Sequence, residues 1–364
     1  MNNRVVLYIG GFALPDKNAA AQRVIGIAKG LKELGYKTVF LHSRAYNSDS
    51  IRERYKAYWG FPCLEYKREP DFDYCFTGKT CISRIQMIKP DYVIAYNYPG
   101  FALENIRRYC KKARIRCYAD TTEWNRINYY GLRGIIRGID TFYRMRIVHK
   151  RMDGIIAISG FLYGYYKKNA KTIMIPPTVD ASEQKWIEGK KGQEKGTVFI
   201  YAGSPSVQKE KLDLIVEAFE RVSAPKTIRF NIVGITEKQF KEMYHWNRPL
   251  SSRIVFWGRL DHNEAIGLVS MANWSIIIRD NNWVVNAGFP TKLVESITCG
   301  TPVIINNFSN VTEYLNDSNS IICDGAHELI ECISRACKTT EGKCVDRWVF
   351  DYHKYLAELN MLLS

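Results

Sequence analysis

RVVLYIGG (Arg4–Gly11), NAAAQRVIGIAKGLKELG (Asn18–Gly35) and YKTVFLHS (Tyr36–Ser43) follow one another at the start of the chain, and their order decides the fold. The outer two are short apolar runs rich in β-branched and aromatic residues, as strands are. The middle one repeats its apolar residues every three to four positions and ends on a glycine, as an amphipathic helix does. Strand, helix and strand in this order make a βαβ unit, whose two strands lie parallel.

Outward from this unit the same alternation recurs. Strands are expected at DYVIAYN (Asp91–Asn97), IRCYAD (Ile115–Asp120), DGIIAIS (Asp153–Ser159) and KTIMIPP (Lys171–Pro177), each set off by a helical segment. The polar, Pro- and Gly-rich stretch Ile175–Gly196 reads as a linker. The pattern then restarts with TVFIYAGS (Thr197–Ser204), IRFNIVG (Ile228–Gly234), RIVFWG (Arg253–Gly258), WSIIIRD (Trp274–Asp280) and TPVIIN (Thr301–Asn306). The fold class expected is α/β, with two doubly wound Rossmann-like domains. The first covers residues 1–177 and takes back a final helix at 346–364; the second covers 178–345. Ligands of such sheets bind outside the carboxyl ends of the strands, so a site between the two domains is expected.

A chain of 364 residues exceeds what one core usually supports, which agrees with two domains. Hydrophobic residues make up 46% and charged residues 24%, the balance of a soluble globular protein. The start of the chain does not read as a signal peptide, and no apolar run approaches the roughly 20 residues that span a bilayer. The ten cysteines are scattered without CxxC pairs and fall in apolar patterns, so reduced thiols in the cytoplasm are expected.

The net charge of +15 is unevenly spread. Residues 103–151 carry thirteen Lys or Arg against Glu104, Asp120, Glu123 and Asp140. Within Gly131–Arg151 the cations alternate with Leu132, Ile135, Ile136, Ile139, Phe142 and Tyr143, the composition of a helix lying on an anionic membrane surface. Nucleic acid is the rival partner for such a patch, and a solvated helix packing its apolar stripe on its own domain is the third reading.

The densest chemistry lies in NAGFPTKLVESITCGTPVIIN (Asn286–Asn306). Gly288 and Pro290 break the chain, a helix from Thr291 to Cys299 has Leu293, Val294 and Ile297 inward, and Gly300 ends it. Free amides and a positive dipole end at Thr291 suit a phosphate. Glu295, one turn later, is placed to accept protons from sugar hydroxyls, as an acid does for a ribose in dinucleotide folds. Other motifs fail. TGKT (Thr77–Thr80) lacks the glycine a phosphate loop needs and reads as a helix start. DFD (Asp71–Asp73) is too short a pattern to mark a metal-bound diphosphate, and the six histidines have no metal-ligand spacing. No GxGxxG follows either first strand, which speaks against a nicotinamide dehydrogenase.

Taken together, Gly10 and Gly11 after the first strand, YAGSPSVQKEKLDLIVEAF (Tyr201–Phe219), GFPTKLVESITCGTPVI (Gly288–Ile304), IPPTVD (Ile175–Asp180) and the Trp-containing last helix resemble the group 1 (family 4) glycosyltransferases of the GT-B fold, of the bacterial polysaccharide-synthesis type. The likeness runs over nearly the whole chain. It implies a retaining, metal-independent glycosyltransferase that moves a hexosyl-type sugar from a nucleotide-diphosphate donor, a UDP-sugar above all, to a saccharide or lipid-linked acceptor in capsule-type surface polysaccharide synthesis. No cofactor and no nucleic-acid partner are expected. The protein would lie in the cytoplasm, peripherally on the inner face of the plasma membrane. A nucleotide-sugar epimerase or hydrolase of the same fold is the alternative, and a nucleic-acid-binding protein the second.

By the resemblance, Glu295 matches the second of the family's paired glutamates and binds the ribose. The first falls on Ala287 and is missing, which leaves Asn286 or Arg279 to hold the sugar hydroxyls. Thr291, Lys292 and Leu293 match the helix start that cradles the diphosphate. Lys209 matches the lysine that neutralises the leaving phosphate, with Lys211 as its alternative. After Gly203, Ser204 stands where relatives carry an arginine. Asp120 occupies the acceptor-side position. Gly10 and Gly11 let the backbone approach the donor closely.

Overall fold

Every strand expected above is present, and the sheets they build are almost wholly parallel. The computed structural model describes residues 4–14, 18–42, 54–65, 70–124, 131–187, 196–223, 227–325, 328–339 and 344–364. The chain forms two units, one of Met1–Val179, Ala287–Phe289 and Tyr352–Ser364, the other of Asp180–Asn286 and Pro290–Asp351. Residues 188–195 of the expected linker lie outside the described residues.

The first sheet comprises β1 (Val5–Gly10), β2 (Lys37–His42), β3 (Arg54–Tyr58), β4 (Phe61–Glu65), β5 (Tyr92–Tyr96), β6 (Arg116–Thr121), β7 (Gly154–Ala157) and β8 (Thr172–Met174). Its order is β3-β4-β2-β1-β5-β6-β7-β8, parallel except for the β3–β4 hairpin. That hairpin is not visible in the periodicity. It turns on Trp59 and Gly60, both with positive φ, which is the backbone of a two-residue hairpin turn built from an unusual dipeptide. The second sheet has β9 (Thr197–Ala202), β10 (Ile228–Val233), β11 (Ile254–Gly258), β12 (Trp274–Ile277), β13 (Val303–Ile305) and β14 (Ser320–Ile322), ordered β11-β10-β9-β12-β13-β14 and parallel throughout. Central strands of both sheets are covered on both faces, which is why they read as unbroken apolar runs.

The helices of the first unit are α1 (Ala19–Glu33), α2 (Lys79–Ile88), α3 (Gly100–Ala113), α4 (Gly131–Tyr143) and α5 (Gly160–Tyr166). Then follow α6 (Leu212–Arg221), α7 (Glu237–Tyr244), α8 (His262–Met271), α9 (Trp283–Ala287), α10 (Thr291–Thr298), α11 (Leu329–Lys338) and α12 (Leu356–Leu363). Asn18 caps α1, its side chain accepting the Ala21 amide at 2.9 Å. Leu359, Leu362 and Leu363 of α12 are buried in the core that holds β1 and α1, so the chain end belongs to the first unit. The last helix is shorter than its pattern. Residues 345–351 are not helical because their polar groups serve other ties: Asp351 accepts the Ala181 amide at 2.9 Å, Asp346 the Trp348 amide at 3.0 Å, and Arg347 donates to the Thr298 carbonyl at 2.8 Å.

The Asp71–Thr80 stretch resolves into a cap. Asp73 accepts the amides of Lys79 at 2.8 Å and Thr80 at 3.0 Å, and so closes the N-terminus of α2. Partial burial raises its carboxyl, but hydrogen bonds from Thr77, Thr80 and Lys79 outweigh this and hold it at about 2. All ten cysteines are free thiols, seven of them buried.

Candidate functional site

In the second unit the carboxyl ends of β9 and β12 meet the N-terminus of α10 around one carboxylate. Glu210, 3% exposed, accepts Arg279 Nη2 at 2.6 Å and Lys292 Nζ at 2.9 Å on the same Oε1, and the Ser206 amide at 3.1 Å on Oε2. Burial raises the Glu210 carboxyl, but the Lys292 and Arg279 charges outweigh it and leave it below the usual carboxylate range. Burial likewise pulls the Lys292 ammonium below its usual value, opposed in part by Glu210. Lys292 lies 4.6 Å from the centre of the Tyr201 ring. A side chain at Gly203 is excluded here, since a Cβ would fall 2.5 Å from Lys292 Cε, and its φ of 133° already requires glycine.

The sequence-predicted residues of this unit divide clearly. Lys211 is paired with Asp280 at 3.0 Å. Arg279 is fixed twice, by Glu210 and by Asn306, which accepts the Arg279 amide at 2.9 Å and donates to its carbonyl at 2.8 Å. Asn286 donates to Asn281 and accepts the Ser309 amide at 2.6 Å. Both replacements expected for the missing glutamate are thus already engaged, although the buried Arg279 Nε has no hydrogen-bond partner. Lys292 does not face a ligand, because its ammonium is turned inward to Glu210. Lys209 alone among these cations has an ammonium with no ion pair or hydrogen bond among the described residues, and it is half-buried. Its amide and that of Glu210 both donate to the Ser206 carbonyl, at 2.9 and 2.8 Å, which rolls the loop into a turn below α6.

Pro290 precedes α10 without a side-chain cap, and no acid lies in its first turn, so the dipole end at Thr291 is uncompensated, although the Leu293 amide is taken up by the Pro290 carbonyl at 3.1 Å. Glu295 remains partly exposed and accepts from or shares a proton with His262 Nε2 at 3.3 Å. Beside the same strand ends a hollow of about 490 Å³ is lined by Ser204, Pro205, Gly234, Ile235, Gln239 and Met243. Sequence reasoning missed Glu210 and His262. Glu210 sits between two lysines in QKEK and reads as a solvated loop charge, its one signal being the apolar Leu212 that follows.

In the first unit Asp120 is corrected. It is fully buried: Arg23 Nε and Nη2 donate to Oδ1 at 2.9 and 2.7 Å, and the Tyr8 hydroxyl to Oδ2 at 2.5 Å. Arg23 Nη1 goes on to the carbonyls of Ile175 and Pro176 at 2.9 and 3.2 Å. With both oxygens occupied, Asp120 ties the ends of β1, β6 and β8 together and has no lone pair aimed at a substrate. Gly10 has a φ of 139°, and a Cβ there would meet the Tyr96 carbonyl oxygen at 2.4 Å, so close packing of β1 on β5 demands this glycine. Ala287 is buried, its carbonyl accepting the Ser159 hydroxyl at 3.0 Å.

The basic region is smaller than its count. Arg107 and Arg108 both bind Glu104, at 2.8 and 2.7 Å, and Arg144 is buried on the Asn97 carbonyl at 3.0 Å; Arg126 lies outside the described residues. Of the apolar residues of α4, Tyr143 stacks on Phe101 with ring centres 5.2 Å apart, but the others stay exposed. Leu132 is 73% and Ile139 54% exposed, with Ile135, Ile136 and Phe142 also exposed, while only Gly138 and Thr141 are buried. Arg133, Arg137 and Arg146 are exposed among them. No described helix is long and apolar enough to cross a membrane.

Residues 196–339 match the family model of glycosyl transferases group 1. The match covers 144 of the 364 residues, and that stretch is similar to the group 1 glycosyltransferases. No curated protein sequence matches it. Solved structures similar over nearly their whole length include sucrose-phosphate synthase from Thermosynechococcus elongatus (TM-score 0.69, 12% identity, 99% of this chain and 98% of that one). Others are HepE of Anabaena in complex with UDP and glucose (TM-score 0.67, 14% identity, 99% of each chain) and the lipopolysaccharide outer core galactosyltransferase WaaB in its apo form (TM-score 0.66, 12% identity, 99% of each chain). At these identities the likeness establishes the fold, which is GT-B. The Gly203–Lys211 loop, α8 and α10 all lie within the matched range.

Replacing Asp120 by Asn leaves Arg23 buried without a counter-charge and is expected to cost about 3–5 kcal/mol of stability in a denaturant titration; a loss under about 1 kcal/mol, as for an exposed pair, contradicts the buried tie. Glu210 adds a pH signature. Its folded pKa lies below its unfolded value of 4.5, so its stabilisation is complete above that value and is lost as pH falls through the folded pKa. Glu210→Gln is expected to be less stable at neutral pH and to show a flatter acid limb than the native chain when melting temperature is followed from pH 6 downward.

Proposed function

We propose that this protein is a glycosyltransferase that moves a hexosyl-type sugar from a UDP-sugar to a lipid-linked saccharide with retention of configuration, as a step of bacterial surface polysaccharide synthesis. The observation that carries the donor site is the free ammonium of Lys209 in a loop whose other charges are all paired. An anion entering there meets Lys209 and, on the same sheet edge, the uncompensated N-terminus of α10, the arrangement that favours a diphosphate. Glu295, exposed enough to touch a ligand, takes the ribose hydroxyls, with His262 orienting its carboxylate. The uracil base is supported by the UDP complex of the Anabaena relative.

Cleaving the bond between the anomeric carbon and the diphosphate leaves negative charge on the leaving oxygen. Lys209 and the α10 dipole stabilise that charge, without a metal ion in the scheme. The acceptor hydroxyl oxygen forms the new bond to the anomeric carbon on the same face, and its proton passes to the departing phosphate. Retention is supported by the likeness of residues 196–339 to the group 1 glycosyltransferases rather than by geometry. Since Asp120 is enclosed, no general base is assigned to it.

The acceptor class rests on α4. Five exposed large apolar side chains among arginines fit an anionic bilayer and support a position on the cytoplasmic membrane face, where a lipid-linked acceptor is reached. The same face speaks against an epimerase or hydrolase working on the donor alone, and a helix this apolar does not suit nucleic acid.

UDP binding measured by calorimetry tests the donor site. Lys209→Ala is expected to weaken UDP about tenfold or more, the worth of one charge-assisted hydrogen bond. Glu295→Gln should weaken uridine and UDP alike while the melting temperature holds. UDP binding unchanged in both variants rejects the site. Flotation with anionic and neutral liposomes tests the acceptor surface: the native chain should float with anionic vesicles only, and Leu132→Glu/Ile139→Glu should stay in the dense fraction. Equal binding to both vesicle types removes the membrane reading.

A further inference from the structure

We propose that Glu210 is a positioning residue for the donor diphosphate: by neutralising Arg279 and Lys292 it anchors the Gly203–Lys211 loop so that Lys209 is the cation presented to the phosphates. The inference rests on the UDP-sugar reading of this site.

The geometry shows how one side chain does this. Glu210 reaches three separate pieces of the second unit: the end of β12 through Arg279 at 2.6 Å, the first turn of α10 through Lys292 at 2.9 Å, and its own loop through the Ser206 amide at 3.1 Å. The backbone adds to the grip. Glu210 and Arg279 form an isolated antiparallel bridge, and the Lys211 amide donates to the Ile278 carbonyl at 3.0 Å. Lys209 is the residue next to this anchor, and its carbonyl accepts the Asp280 amide at 3.3 Å. Moving Glu210 therefore moves Lys209.

Charge supplies the second half of the argument. Without Glu210, Arg279 and Lys292 would stand buried with like charge, repelling each other and competing with Lys209 for any phosphate. With it, those two cations have a counter-charge, Lys211 has Asp280, and the Lys209 ammonium is left over. A buried carboxylate holding two cations also resembles a mere stability device, since breaking such a cluster is costly wherever it lies. The two roles separate in a variant that removes anion and cation together. In Glu210→Gln/Lys292→Met the glutamine oxygen keeps a hydrogen bond for Arg279, though its NH2 cannot accept from the Ser206 amide, and methionine keeps an unbranched stem under Gly203 and against Tyr201.

The test compares the binding of UDP with that of uridine by calorimetry, since their ratio reports the phosphate contact alone, beside the melting temperature of each variant. In the native chain UDP should bind more tightly than uridine, and Lys209→Ala should reduce the ratio about tenfold. Glu210→Gln/Lys292→Met should melt above Glu210→Gln, since one of the two stranded cations is gone, yet lose the ratio to the same extent as Lys209→Ala. Adding Lys209→Ala to that pair should cost nothing further, because both changes remove one contact. Glu210→Asp, which keeps the charge on a shorter arm, should lose the ratio as well. Recovery of the ratio together with the melting temperature in the double variant overturns the proposal, leaving Glu210 a stabiliser only, and so does a loss that multiplies in the triple variant. If the native chain binds UDP no better than uridine, the donor reading itself fails and this inference falls with it; a normal native ratio that drops in Lys209→Ala but not in the Glu210 variants rejects the inference alone.

Discussion

Two neighbouring parallel strands can be joined only by a crossover that returns the chain to its starting end, and this constraint governs both halves of the molecule. Each crossover leaves a loop at the carboxyl end of one strand and the start of a helix beside it. In the second sheet this gathers the Gly203–Lys211 loop after β9, Arg279 after β12 and the start of α10 on one edge. In the first sheet it gathers Gly10, Tyr96, Asp120 and Pro176 in the same way.

Both edges are then held by a buried carboxylate, with opposite results. Asp120 spends its whole hydrogen-bonding capacity on Arg23 and Tyr8 and has no outward face. Glu210 is as well satisfied, but its partners sit around a loop that keeps one cation free. Burial of an acid is thus no guide to chemistry by itself. What distinguishes the two edges is whether a charge remains unmatched once the buried group has its partners.

The fold was legible because burial on both faces writes long apolar runs and because glycine punctuates each crossover. The β3–β4 hairpin escaped, since Trp59-Gly60 is a turn whose positive φ values belong to no common dipeptide signal. The last helix was overread because Val345–Asp351 has helical spacing while its polar groups bind elsewhere. At the site, the resemblance pointed to Lys209, Lys292 and Glu295, but nothing in it told that the Lys292 side chain is buried. Spacing says which face of a helix a residue occupies; only the acid at position 210, eighty-two residues away in sequence, says that the lysine points inward. Asp120 misled for the same reason, its partner Arg23 lying ninety-seven residues away.

The short β3 strand has a bearing on how the protein behaves in a crowded cell. It is the outermost strand of its sheet, antiparallel to its only neighbour, and five residues long. An open sheet edge invites another chain to add on, and a brief strand carrying an exposed lysine, here Lys56, is a poor template for that. The inserted hairpin thus works as a bumper: it finishes a parallel sheet whose β2 or β4 would otherwise lie bare, and it discourages copies of the chain from stacking into aggregates.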